Sequence, residues 1–264
     1  MIRRQTYIDQ LKTLKDVQLI KVVTGIRRSG KSTLFELFRK ELVGSGISES
    51  CVQQYNMEDP AYSVFTDWKS FYDYIKSKLI SDRMNYIFLD EIQMLNNFER
   101  LLDGLHLLKN TDIYVTGSNA YLLSGELATI LTGRAITINM YPFSFAEYLD
   151  FMNISSPGEA DLIEYIQTGG FPQALELKKL TYNLYTTYLN DLFTTIIAKD
   201  IKSRHTLYSE KSFDDVTRFL ADSIGSRVSA NRISKTLKSN KISVDDKTIS
   251  RYISILNDSF VYYP

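Results

Sequence analysis

Residues 19–34 read Leu19-Ile20-Lys21-Val22-Val23-Thr24-Gly25-Ile26-Arg27-Arg28-Ser29-Gly30-Lys31-Ser32-Thr33-Leu34. The first six are mostly apolar and rich in β-branched residues, as a buried strand requires. The last begin a stretch with helical periodicity that runs to Leu42 and stops before Gly44. Between them, Gly25 to Ser32 fits G-x-x-x-x-G-K-[ST] at every fixed position. The glycines let the backbone curl so that successive N–H groups point at phosphate oxygens, and the helix that follows aims its positive end at the same anion. Gly25, Ile26, Arg27, Arg28, Ser29, Gly30, Lys31, Ser32 and Thr33 therefore form the expected phosphate cradle. Lys31 is expected to reach the β- and γ-phosphates of ATP, and the Ser32 hydroxyl to ligate Mg²⁺. Arg27 and Arg28 either flank the nucleotide or point to solvent.

Working outward, Tyr86-Ile87-Phe88-Leu89-Asp90-Glu91 is an apolar strand ending in two carboxylates. Asp90 is placed to hold Mg²⁺ through water and Glu91 to orient the attacking water, because phosphoryl transfer needs an aligned nucleophile as well as charge neutralisation. A further strand, Ile113 to Thr116, ends at Gly117-Ser118-Asn119, where a polar side chain can sit beside the γ-phosphate. Asn119 is the expected residue, with Ser118 and Thr116 as rivals and a helix cap as the plain alternative. Arg134, before a fifth strand at Ile136–Met140, is expected either to stabilise the transferring phosphoryl group, in cis or across a subunit interface, or to be an ordinary surface arginine. Cys51–Tyr55 supplies the remaining strand. Strands alternating with helices predict an α/β fold with a parallel sheet covered on both faces.

After Pro142 the pattern is helical, broken once at Gly169-Gly170-Phe171-Pro172. The domain reading is a P-loop core over residues 1–145, a helical segment over 146–205 and a winged-helix-like module over 206–264. In that module, 213–225, 229–238 and a segment after Asp245-Asp246 have helix-turn-helix spacing. Ile249, Ile253 and Leu256 form the inner stripe of the last helix, and Lys247, Ser250, Arg251 and Ser254 form the outer one. That outer composition suits a major groove, and a solvated face on a protein-binding module is the other reading. Residues 227–251 hold seven basic side chains against two acidic ones, enough for several phosphate contacts with DNA through residues 229–254. Phe260 to Pro264 reads as the first strand of a wing whose partner is missing, so the module is expected to be partial and truncated.

The runs GIRRSGKSTL, YIFLDEIQ, VTGSNA, TGRAITINMYPFSFAEYL and GGFPQAL together resemble a family of prokaryotic AAA-type ATPases. The resemblance extends over residues 1–262. It implies a RecA-like ATPase core, a helical segment and a winged helix, with a restriction-endonuclease-like domain of unknown function in longer members. The family's phosphate-loop lysine and serine fall on Lys31 and Ser32, its acidic pair on Asp90 and Glu91, its post-strand polar position within Gly117–Asn119, and its Gly-Arg on Gly133-Arg134.

Composition narrows the rest. The chain has 264 residues, 31 Lys+Arg balanced by 31 Asp+Glu, and 44% hydrophobic residues, which excludes a disordered tail or a polybasic coat. The zero is a sum of unlike parts, since residues 201–264 carry 11 basic and 7 acidic side chains. One cysteine, Cys51, and two distant histidines, His106 and His205, give neither a disulfide framework nor a transition-metal site. No apolar run is of membrane-spanning length and the N-terminus lacks a signal-peptide pattern, so the expectation is a cytoplasmic protein. The predicted activity is Mg²⁺-dependent ATP hydrolysis, with the winged helix coupling nucleotide state to a DNA or protein partner or a second copy. The alternative is a nucleotide-gated binding module with little turnover. A small-molecule kinase is disfavoured, because no arginine-rich lid follows the phosphate loop.

Overall fold

The five apolar runs pair into one sheet. A computed structural model describes residues 2–65, 67–118, 131, 133–239, 242 and 244–263. Its strands are β1 (Ile20–Thr24), β2 (Val52–Asn56), β3 (Asn85–Asp90), β4 (Thr111–Gly117) and β5 (Ala135–Asn139), all parallel, in the order β2-β3-β4-β1-β5. Both faces are covered, and the alternation of side chains shows it. Ile87 and Leu89 of β3 and Ile113 and Val115 of β4 pack under α3 (Trp68–Ser77) and α4 (Phe98–His106), with Phe71, Ile75, Leu101 and Leu105. Tyr86, Phe88 and Tyr114 point the other way, onto α1 (Gln5–Thr13) and α2 (Lys31–Gly44), with Ile8, Leu11, Phe35 and Phe38. The Phe88 and Tyr114 rings stack with centroids 4.7 Å apart, and Phe35 meets Phe88 edge-on at 5.1 Å.

Two compact units follow from the packing, Met1–Thr186 and Thr187–Pro264. The composition shift suggests boundaries near 145 and 205, but the division falls inside α8 (Tyr182–Thr195). The first unit keeps α5 (Phe145–Met152), α6 (Glu159–Thr168) and α7 (Pro172–Leu180), where Phe143, Tyr148 and Leu175 form a small core that Ile2 joins.

In the second unit, a π-helical turn at Ile196–Lys202 leads to α9 (Glu210–Asp222), α10 (Ala230–Ser239) and α11 (Asp246–Asp258). Asp245 caps α11 through the Thr248 N–H at 2.7 Å. The inner stripe is Ile249, Tyr252, Ile255 and Leu256. The expected wing strand does not form. Phe260 takes a left-handed φ of 57°, its N–H bonds to the Asn257 carbonyl, and the Val261 N–H bonds to the Leu256 carbonyl. That pair of bonds is a Schellman termination, which reverses the chain and lays Val261 and Tyr262 on the unit's core. Among the described residues this unit contains no strand.

Candidate functional site

The phosphate loop leaves β1 at Gly25, where a side chain is impossible: a Cβ there would lie 2.0 Å from the Met140 carbonyl oxygen, and φ is +151°. The loop ends at Gly30, φ +103°, which starts α2, and Arg28 between them is also left-handed. Lys31, 4% exposed, donates to the Gly25 and Ile26 carbonyls at 2.9 and 3.2 Å, and its Nζ lies 3.9 Å from Glu91 Oε1. A polar cavity of about 220 Å³ opens here, lined by Arg27, Arg28, Gly30, Lys31, Ser32 and Thr33 together with Glu58 and Glu91. Arg27 pairs with Glu58 at 3.0 Å. Ser29 is buried and does not line the cavity.

Strand register brings the acids to this end of the sheet. Val23 is level with Thr116, and Leu89 with Val115, so Asp90 and Thr116 meet beside the loop. The Thr116 hydroxyl donates to Asp90 Oδ1 and accepts the Glu91 N–H at 2.9 Å. The Ser32 hydroxyl also bonds to Asp90. Burial pushes the Asp90 carboxyl above its usual range, against the pull of the Ser32 and Thr116 hydroxyls. Glu91 sits in the left-handed region at φ 51°, and Gln93 Nε2 donates to its Oε2. The Ser32 hydroxyl and the Asp90 carboxylate are hard oxygen donors side by side, a set that fits Mg²⁺.

Of the other residues singled out by sequence, Arg134 is not brought to this site. Its carbonyl accepts the Ile20 N–H at the start of β1, so the rise of that strand, about 13 Å, separates it from the loop. Its guanidinium pairs with Asp103 at 2.9 Å. Asn119 lies outside the described residues. Ser118 is buried, and Thr116, still within β4, is the residue that touches both acids. Lys247, Ser250, Arg251 and Ser254 all lie exposed on one side of α11 in the second unit.

Sequence reasoning missed Pro172 and Gln173, which line the same cavity. Their signal was the Gly169-Gly170 pair. A Cβ at Gly170 would fall 2.2 Å from the Phe143 carbonyl oxygen, and only its absence lets the Gly170 carbonyl accept the Phe143 N–H at 2.7 Å. That contact returns the chain to the mouth of the phosphate loop. Gln93 was also missed, although it stands two residues from Glu91 in the quoted run.

A family model described as an AAA domain matches residues 17–149, the stretch that carries the sheet and both motifs. The chain belongs to the AAA domain family. A second model, a domain of unknown function (DUF8612), matches residues 159–264. This AAA chain is 38% identical over 267 residues to an uncharacterized protein of Haemophilus influenzae, covering 100% of itself and 66% of that protein. It is 26% identical over 258 residues to the uncharacterized protein MJ1544 of Methanocaldococcus jannaschii, covering 92% of itself and 56% of that protein. The AAA chain thus spans less than two thirds of the length of either curated relative. Among solved structures, AMPPCP-bound DnaA from Aquifex aeolicus aligns at TM-score 0.47 and 15% identity, covering 99% of this chain and 89% of that one. The Aeropyrum pernix ORC1 protein in complex with DNA aligns at TM-score 0.47 and 13% identity, covering 98% and 84%. Among the described residues, no helix is long and apolar enough to cross a membrane.

Proposed function

We propose that this chain is a Mg²⁺-dependent ATPase whose C-terminal helices engage duplex DNA. The observation that supports hydrolysis most is the cluster at the strand ends, where Lys31, Ser32 and Glu91 line the cavity of the phosphate loop and buried Asp90 and Thr116 stand behind them, bonded to Ser32 and to the Glu91 N–H. Lys31 and the loop N–H groups bind the polyphosphate, and Pro172 and Gln173 bound the other side of the site. Ser32 and Asp90 are the residues that would hold Mg²⁺, which when bound supplies charge neutralisation on the transferring phosphoryl group. Glu91 orients the attacking water and accepts its proton. Thr116 and Gln93 hold Glu91 in an orientation that its left-handed backbone would not keep alone. Arg134, exposed at the opposite end of the sheet and paired with Asp103, acts either on a neighbouring copy's nucleotide in a homo-oligomer or as an ordinary surface arginine.

DNA engagement rests on the second unit. Lys247 and Arg251 on α11 share their exposure with Arg227, Arg232, Lys235 and Lys238, a basic surface next to a helix-turn-helix pair. A protein partner at this surface is the competing reading.

Steady-state phosphate release tests the hydrolytic reading. Glu91→Gln is expected to keep ATP affinity within about threefold while turnover falls by a factor on the order of 10² to 10⁴, and Lys31→Ala is expected to lose ATP binding. Normal turnover by Glu91→Gln overturns its role. ATP binding without turnover in the unsubstituted protein, with and without DNA, leaves the nucleotide-gated binding module instead.

A further inference from the structure

Arg4 has no part in the site as drawn above, yet it is a buried cation that joins the phosphate loop to the segments after β5. It is 4% exposed and sits at a left-handed φ of 52°, an expensive conformation for a side chain of this size. Its guanidinium fork spreads over three separate segments. Nη1 donates to the Ser29 carbonyl of the phosphate loop at 3.3 Å, and Nη2 to the Tyr141 carbonyl beyond β5 at 2.6 Å. Nε lies 2.9 Å from Glu147 Oε1 on α5. The Tyr7 and Phe143 rings flank it at 4.8 and 5.1 Å. The same Glu147 takes the Ser144 N–H on its other oxygen at 2.9 Å, closing the capping box that starts α5.

We propose that Arg4 is a positioning residue for polyphosphate binding: it clasps the phosphate loop from behind and ties the loop's shape to the start of α5. A peptide unit is planar, so a hydrogen bond to the Ser29 carbonyl also fixes the direction of the Gly30 N–H on the opposite edge of the unit. Gly30 lines the cavity and starts α2, so that N–H is one of the donors the cradle offers an anion. Preorganised donors bind more tightly because less ordering remains to be done when the anion arrives. The buried charge is balanced by Glu147, and the fork shape matters because a lysine keeps the charge but cannot reach all three acceptors. This inference rests on the phosphate-binding reading of the loop.

The test uses the full chain and the Arg4→Lys variant, with calorimetric titration of ATP and of adenosine. Arg4→Lys is expected to weaken ATP at least tenfold and leave adenosine within twofold, because only the phosphates meet the loop. Unchanged ATP affinity overturns the clasp, and an equal loss for ATP and adenosine overturns it too, since that marks a general structural role. Amide exchange over residues 25–33 without nucleotide provides a readout independent of ATP. It is expected to quicken in Arg4→Lys while exchange in β4 holds, and an unchanged loop overturns the proposal. If the unsubstituted protein binds no ATP, the phosphate-binding reading fails, and the exchange comparison still judges the clasp. If Arg4→Lys does not fold, Glu147→Gln decides. Glutamine keeps the capping box but not the carboxylate, so selective ATP loss with faster loop exchange supports the clasp, and wild-type values for both overturn it.

Discussion

Replacing Thr116 with valine removes one hydroxyl and almost nothing else, and the structure sets what that costs. Thr116 is fully buried, its hydroxyl donates to Asp90, and it accepts the Glu91 N–H at 2.9 Å. A hydrogen bond to a charged group contributes about 1.5–3 kcal/mol, and stranding a buried N–H costs about 1–3 kcal/mol. The added methyl returns about 0.8 kcal/mol by burial. Thr116→Val is therefore expected to destabilise the first unit by about 2–5 kcal/mol. Thr116→Ser, which keeps the hydroxyl, should stay within about 1 kcal/mol of the parent, the loss of one methyl. The chain has a single tryptophan, Trp68, at the start of α3, so its fluorescence through a urea titration reports the first unit. The slope of that titration should not change, since the surface exposed on unfolding is the same. Turnover should fall as well, roughly 10- to 100-fold, because Glu91 loses the contact that fixes its backbone. A valine variant within 0.5 kcal/mol of the parent, estimated on the same scale of about 0.5–1.5 kcal/mol for an ordinary net hydrogen bond, refutes the reasoning that the hydroxyl organises both acids.

Further outcomes follow from other parts of the molecule. Gly25→Ala drives a Cβ against the Met140 carbonyl and should cost about 3 kcal/mol or more together with ATP binding. Gly133→Ala, left-handed but with open space around it, should cost only about 1–2 kcal/mol. Urea midpoints separate the two. Burial, and then Arg134, hold His106 below its usual 6.5. The unfolded chain then binds the proton more readily, so stability present above pH 6.5 is lost as pH falls through that lowered value. His106→Gln should flatten the dependence of the Trp68 midpoint as pH falls below 6.5, and an unchanged slope refutes the assignment. For the second unit, Arg251→Ala should lower the slope of log affinity for duplex DNA against log salt by about 0.9, measured by anisotropy. Salt-independent binding by the parent removes the DNA reading.

Much of this was legible along the chain because it depends on neighbours in sequence. The glycine spacing of 25–32, the apolar run into Asp90-Glu91, and the stripes at Ile249 and Leu256 are short-range patterns, set by the two-residue and 3.6-residue periods of strand and helix. They determined the element types, the phosphate loop and which faces are buried. The strand expected from Phe260 onward came from the same kind of signal and does not form over its described residues. Phe260 to Tyr262 has strand composition, but the carbonyls left open at the end of α11 and the apolar surface beneath them drew it into a helix cap.

Other features rest on contacts between residues far apart, for which a local pattern carries no information. Inserting β4 between β1 and β3 makes Thr116 the link between the acids. A parallel sheet also sends every strand's start to one end and every strand's finish to the other, which puts Arg134 at the end away from the phosphate loop, where the sequence left open a phosphoryl contact in cis, one across a subunit interface, or an ordinary surface position. Gly170 against Phe143 returns Pro172 and Gln173 to the cavity. Arg4 reads in sequence as one more N-terminal cation, and only the packing of three segments around it makes it a buried clasp. The sequence by itself determined which side chains stand together in each local motif. The tertiary structure decided which residues share a site, because long-range pairing sets distance in space independently of distance along the chain.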